Sequence, residues 1–261
     1  MSKKIRNLFL LMSILLFGCN EQLKASPEEY LVRYAKLQGG EWIEEIKTLQ
    51  GIELDVKKIK ELPSDSLNLI KRLSFKGPIG KIPDLGFLIN LEYLHLPRRG
   101  VTDISNLNGL SINTLILSEN PFTDLSPLVG CANLKNLELS FSKVSKFDPL
   151  SKCISLQSLG LSGNNIGELP DFSLLIDLRE IYLIESELKT LNNIETIPNH
   201  FDLNIMECEN LEDIDALRFS NVDTLFIDEL TYNRFNSWFD AHLEEIKTKN
   251  PEFNIRFDMF E

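Results

Sequence analysis

The apolar residues of this chain recur in a fixed frame. Aligned from Leu134, Leu156 and Leu178, three segments read LKNLELSFSKVSKF, LQSLGLSGNNIGEL and LREIYLIESELKTL. Each has apolar residues at its first, fourth, sixth, eleventh and fourteenth positions and a small polar residue at its ninth. The same frame opens at Leu49, Ile70, Leu91, Ile112, Leu134, Leu156, Leu178, His200 and Val222, in steps of 21 and then 22 residues. Alternation between the fourth and sixth positions predicts a short strand, its apolar residues turned inward and the residue between them outward. The later apolar positions, together with Asp103-Ile104…Leu107, Asp124-Leu125…Leu128 and Asp213-Ile214…Leu217, close each unit on its far side. One such coil cannot bury its apolar face, whereas stacked coils share a continuous core.

Both ends of the stack need covers. Residues 26–48 are expected to form a helical amino-terminal cap. Ser26-Pro27-Glu28-Glu29 has the form of a capping box with proline at the first helical position, and Tyr30, Tyr34, Leu37, Trp42, Ile43 and Ile46 supply apolar cover. Residues 231–261 are expected to form the other cap. Phe235, Trp238, Phe239, His242, Leu243 and Ile246 lie on one helical face, and after Pro251 the alternation of Phe253, Ile255 and Phe257 predicts an edge strand.

At the residues just quoted the chain resembles the leucine-rich repeat, specifically the short 22-residue class of the internalins, over residues 49–230 in about nine coils. The resemblance implies an α/β solenoid with a curved parallel sheet on its concave face. Short helices or 3-10 turns would form the convex face, between a helical amino-terminal cap and a helix–strand carboxy-terminal cap. It implies that Asn120 and Asn164 satisfy turn backbone groups inside the coils, with Ser142, Ser186 and Cys208 as small substitutes. Lys57, Pro78 and Arg99 depart from that position, so the first three coils are expected to be irregular. It also implies protein binding by the concave face. Register places Arg72, Tyr93, His95, Ile116, Glu138, Tyr182 and Phe226 outward from the strands, with Phe141, Ile184 and Met206 just beyond them. Such a face is basic in its first coils (Lys71, Arg72, Lys76, Arg98, Arg99), small and polar in the middle, and acidic at the end. Its apolar residues are expected to be exposed, as interface anchors are.

The amino terminus carries a different pattern. Lys3, Lys4 and Arg6 precede an apolar run from Leu8 to Phe17, far short of the ~20 residues a membrane-crossing helix needs. Leu16-Phe17-Gly18-Cys19 resembles a bacterial lipobox. The resemblance implies a signal peptide over residues 1–18 and diacylglycerol on the Cys19 thiol, with the new amino group open to acylation. Asn20 in place of aspartate resembles the outer-membrane rather than the inner-membrane class of Gram-negative lipoproteins. Residues 19–25 then form the lipidated cysteine and a tether reaching only ~20 Å, which keeps the folded part close to the lipid.

Composition narrows the function classes. A formal net charge of -12 excludes a nucleic-acid surface and favours a basic partner. His95, His200 and His242 are isolated, and His200, at a coil's first apolar position, is expected to be partly buried and structural. The run from Glu207 to Asp215 is acidic but lacks the central glycine and terminal glutamate of a calcium loop, so it is expected to be a solvated turn. No catalytic, metal or cofactor motif is present. Cys131 and Cys153 occupy equivalent positions in adjacent coils, close enough for a disulfide by strand spacing. Equivalent side chains run parallel, however, and two buried thiols are the expectation; Cys208 is expected to be buried and inert.

The resulting expectation is a non-enzymatic, monomeric, lipid-anchored protein-binding module of the bacterial cell envelope, without cofactor. An immunity protein against a toxin delivered to the periplasm, a surface adhesin and a structural envelope scaffold are alternatives the residues leave open.

Overall fold

The computed structural model describes residues 70–75 and 77–257. The signal peptide, Cys19, the tether, the amino-terminal cap, the coil opening at Leu49 and Lys76 lie outside the described residues.

Among the described residues, nine strands form one parallel sheet in strict sequence order: β1 (Arg72–Ser74), β2 (Tyr93–His95), β3 (Thr114–Ile116), β4 (Asn136–Glu138), β5 (Ser158–Gly160), β6 (Glu180–Tyr182), β7 (Phe201–Asn204), β8 (Val222–Phe226) and β9 (Asn254–Arg256). The fold is a leucine-rich-repeat solenoid. Its register follows the repeat: Leu73, Leu94, Leu115, Leu137, Leu159, Ile181, Leu203, Leu225 and Ile255 are successive cross-strand partners. The first eight of these are almost wholly buried, and they belong to one continuous core running through the described coils. Despite the atypical residues Pro78 and Arg99, β1, β2 and β3 pair without a break in register, so the irregularity expected there does not reach the sheet.

Short 3-10 turns return most coils, at Ser105–Leu107, Ser126–Gly130, Asp148–Lys152, Ile194–Thr196 and Asp215–Phe219. Aspartates set up several of these returns. Asp103, Asp124 and Asp213 each accept a hydrogen bond at 2.8 Å from the backbone N–H two residues on, an Asx turn that aims the chain into the 3-10 segment. In the acidic run the Asp213 carboxylate is engaged in this way, and among the described residues no group of histidine, cysteine and carboxylate side chains is gathered to hold a metal ion.

Inside the coils, asparagine side chains take up backbone groups that strand pairing cannot reach. Asn120 Oδ1 accepts from the N–H groups of Arg99 and Val101 at 2.9 Å, while its Nδ2 donates to the Leu96 and Leu117 carbonyls at 2.7 Å. Each asparagine therefore reaches back to the preceding coil. Asn120 serves the coil in which Arg99 stands at the asparagine position, and Asn164 serves the one that has Ser142. Cys208 does part of the same work, its thiol donating to the Leu183 carbonyl at 3.1 Å.

His200 is the clear departure from the sequence expectation. Its side chain is 61% exposed, with Nδ1 2.6 Å from Asp223 Oδ1, and the core position is taken by Phe201, which is buried. Phe201 pairs with Val222, and the register shifts between Phe201 and Leu203. That irregularity moves only the coil's first apolar position on by one residue, Leu203 keeping its place, and leaves the imidazole outside.

Two helices and β9 cover the carboxy-terminal end. In α1 (Glu229–Arg234), the Asp228 carboxylate caps the first turn by accepting from Thr231 N at 2.9 Å. In α2 (Asn236–Lys249), Phe239 and Ile246 are buried against the core, and Tyr232 stacks on Phe239 at 4.9 Å. Arg234 ends the internal ladder. Its guanidinium donates to the carbonyls of Cys208, Glu209 and Leu211, because the coil opening at Val222 turns into α1 after β8 and offers no asparagine there.

Candidate functional site

The outward residues of the sheet run in two rows fixed by register. One comprises Arg72, Tyr93, Thr114, Asn136, Ser158, Glu180 and Asp202; the other comprises Ser74, His95, Ile116, Glu138, Gly160, Tyr182, Asn204 and Phe226. All of the predicted binding residues lie on these rows or directly beside them.

At the amino-terminal end, the Arg72 guanidinium lies 5.4 Å from the centre of the Tyr93 ring, and Tyr93 stacks on His95 at 6.1 Å. Burial, aided by the nearby Arg99 charge, lowers the His95 pKa to about 4, so the imidazole is neutral near pH 7. The basic character expected of these coils is partly spent within the chain, Lys71 pairing with Glu92 and Arg98 with Glu119.

In the middle, Ile116, Glu138 and Ile184 are buried, not exposed as alternation alone predicts. Parallel strands set equivalent side chains about 4.8 Å apart, so a large residue screens its neighbours in the next coil. Ile116 has His95 and Glu138 as its cross-strand partners. The Glu138 carboxylate lies over Gly160: a Cβ on that glycine would come within 1.8 Å of Glu138 Oε2. Glu138 Oε1 accepts from Ser140 N at 2.8 Å and from Ser118 Oγ at 3.1 Å. Burial pushes the Glu138 carboxyl above the usual carboxylate range.

Toward the carboxy-terminal end, Phe141, Tyr182, Ile184 and Met206 form an apolar cluster separate from the core. Tyr182 and Met206 are half-buried. Glu180 Oε2 accepts from Ser158 Oγ at 3.0 Å and from the Tyr182 hydroxyl at 3.4 Å. Burial first, then Glu180, Asp202 and Glu138, pushes the Tyr182 phenol up, so it remains protonated and able to donate.

A ridge beside the strands was missed by the alternation argument. Arg98, Glu119, Phe141, Glu185 and Glu207 occupy one coil position, and all have φ between 53° and 57°, the left-handed region that side chains disfavour. Gly77 and Gly163 stand at the equivalent position with φ of 77° and 65°. Those two glycines were the available signal, since a turn that selects glycine in some coils imposes the same backbone on the rest. The Phe141 ring lies over Gly163, where a Cβ would meet its Cε1 at 2.1 Å. Glu185, on the same ridge, has its pKa pushed up to about 7 by burial and by Glu207 and Glu209.

Cys131, Cys153 and Cys208 are free, buried thiols, so the disulfide between the first two is not formed. Cys131 Sγ donates to the Leu107 carbonyl at 3.2 Å, and burial pushes the Cys131 and Cys153 thiols up to about 12 and about 11. Both are inert near pH 7. His242 Nδ1 lies 2.9 Å from the Trp238 carbonyl within α2, away from the sheet face. The face offers apolar anchors, hydroxyl groups and carboxylates, a set suited to recognition of another macromolecule.

No family model and no curated protein sequence matches this chain. Similar solved structures include an internalin from Listeria monocytogenes, 22% identical over 65% of this chain and 59% of that one, with a TM-score of 0.47. An internalin C2 of the same organism is 20% identical over 64% of this chain and 84% of its own, with a TM-score of 0.48. A leucine-rich-repeat protein of Leptospira interrogans is 21% identical over 75% of this chain and 45% of its own, with a TM-score of 0.47. This chain thus spans 59% of the first of these and 45% of the third, and what it carries through its described residues is an internally continuous leucine-rich-repeat fold.

Proposed function

We propose that the chain is a protein-interaction module that binds a protein partner through the concave sheet face, and that it is held at a bacterial envelope membrane by lipid on Cys19. The observation that carries the binding reading is the cluster of Phe141, Tyr182, Ile184 and Met206, which lies on the sheet face apart from the core. The coils already close through their inward leucines, so the fold does not require aromatic and thioether groups there. Aromatic and methionine side chains set among polar groups are the composition of an interface centre.

Tyr182 and Phe226 test the reading because both are half-buried outside the core. Replacing both with alanine is expected to cost about 1 kcal/mol of stability or less for each side chain, by the apolar area involved. Partner binding is expected to weaken by ~2 kcal/mol for each, roughly thirtyfold. A thermal melt run beside affinity capture from envelope and secreted fractions separates the two effects. Undiminished capture by a well-folded double variant would move the binding surface to the convex side or the caps.

The anchoring reading rests on the lipobox-like Leu16-Phe17-Gly18-Cys19. Cys19→Ser is expected to leave an unprocessed or soluble protein, because only a thiol accepts the diacylglycerol. Fractionation showing the same membrane partition and the same processed mass for wild type and variant would refute it. Asn20 supports the outer-membrane side of the envelope over the inner.

A further inference from the structure

Among the described residues, five buried side-chain polar atoms have no hydrogen-bond partner: Arg99 Nε, Glu138 Oε2, Ser140 Oγ, Ser162 Oγ and Glu185 Oε1. Four of the five are oxygens of three consecutive coils, on or beside the sheet face. A buried oxygen without a donor is unfavourable, and native structures rarely keep several together without a use for them. Glu138 is only 2% exposed, and its other oxygen is fixed by Ser140 N and Ser118 Oγ. The carboxylate is therefore held in place, with Oε2 over Gly160 and short of a donor.

The surroundings define the donor. No lysine or arginine occupies an outward position from β4 to β8, whereas Glu138, Glu180 and Asp202 all do. The Tyr182 hydroxyl donates to Glu180 at 3.4 Å, Asp202 is the cross-strand partner of Glu180, and Glu138 lies in the same outward row as Tyr182, two strands away across Gly160. Ile116 stands beside Glu138 in the next strand, and Tyr182 follows Gly160 in register. Apolar walls around a recessed carboxylate suit a long side chain with an apolar stem and a charged tip, and the Tyr182 ring adds a face that attracts cations. A metal ion is the poorer match, because no metal-holding group of side chains is gathered among the described residues.

We propose that the Glu138 carboxylate, on the floor of the concave face above Gly160, receives one lysine or arginine side chain from the bound protein. The proposal rests on the concave-face reading above and adds the chemistry of the partner's central contact. The ammonium or guanidinium donates to Glu138 Oε2, and Glu180 and Asp202 supply the surrounding negative potential. The net charge of -12 favours approach of a basic surface on the same grounds.

The test uses the full chain as bait for a phage-displayed library of random linear peptides, with Glu138→Gln and the Tyr182→Ala/Phe226→Ala variant as parallel baits. Glu138→Gln keeps the shape and removes the charge, and a thermal melt checks that it folds. Peptides selected on the wild type are expected to share a lysine or arginine at one position. Replacing that residue with glutamine should weaken binding about tenfold or more, as should Glu138→Gln. The two changes together should cost no more than either alone, since they break one contact. Peptides that lack a shared cation, or that bind Glu138→Gln undiminished, overturn the proposal. If those same peptides are lost on Tyr182→Ala/Phe226→Ala, the concave-face reading survives and only the cation contact fails. Peptides indifferent to every concave substitution, or no enrichment over an unrelated bait, overturn both.

Discussion

Leu159→Asp is expected to abolish cooperative folding of the whole stack. Leu159 is fully buried in β5, the middle strand of the nine, with Leu137 and Ile181 as its cross-strand partners. A carboxylate at that point sits in the hydrophobic core between a leucine and an isoleucine. It either stays ionised at a cost of several kcal/mol or takes up a proton well above its ordinary pKa. The lost leucine contacts add the ~2–5 kcal/mol usual for large-to-small changes in a core. Together these rival the ~5–15 kcal/mol by which ordinary domains are stable. A solenoid transmits such damage because each coil is held mainly by its two neighbours. Circular dichroism melts should show no cooperative transition or one shifted down by tens of degrees. Gln157→Asp, two residues away and exposed, should melt like wild type. If Leu159→Asp retained a cooperative melt within a few degrees of wild type, the inward register of β5 would be wrong.

The inward set was legible because the repeat states it many times. A period of 21 or 22 residues with apolar residues at fixed places fixes the inward residues of nearly every strand, and the cross-strand partners follow that period from Leu73 to Leu203. The reading failed where one coil slips. His200 and Phe201 are adjacent and both can occupy an apolar site, so equal spacing placed the histidine inside. The irregularity between Phe201 and Leu203 reverses that choice. The outward rows were legible as a list of residues but not as a surface. Alternation says which way a side chain points; burial depends on the size of neighbours one coil away. Thus the carboxylate of Glu138 lies over Gly160, and Ile184 joins Phe141, Tyr182 and Met206. The left-handed ridge was obscured for a related reason. Arg98, Glu119, Phe141, Glu185 and Glu207 share a backbone conformation, but their side chains have nothing in common that a residue pattern would detect. Stacking holds each in a conformation costing roughly 1–2 kcal/mol. The Arg234 guanidinium, ending the ladder in place of a further asparagine, likewise comes from outside the repeat frame.

Asn120→Ala is expected to be the most damaging substitution of a polar residue in the described coils. The side chain is only 1% exposed and joins two coils through backbone groups that have no water to turn to. Its removal strands the N–H groups of Arg99 and Val101 and weakens the hydrogen bonding of the Leu96 and Leu117 carbonyls. Each buried group left without its partner costs ~1–3 kcal/mol, and relaxation recovers part, so a loss of about 3–5 kcal/mol is expected. Asn120→Asp should be nearly as harmful, because a carboxylate cannot donate to the Leu96 and Leu117 carbonyls. Asn164→Ala should cost somewhat less, since Ser142 is small and its own hydroxyl lies 3.4 Å from Val144 N, able to keep part of the turn bonded. Denaturant titration measures these losses as a lower midpoint with unchanged slope. Amide exchange adds a local check: the Arg99 and Val101 amides should lose protection first, in the coil preceding the substitution. A cost below 1 kcal/mol for Asn120→Ala, or loss of protection confined to the coil after it, would show that the asparagine fills space and does not tie the coils together.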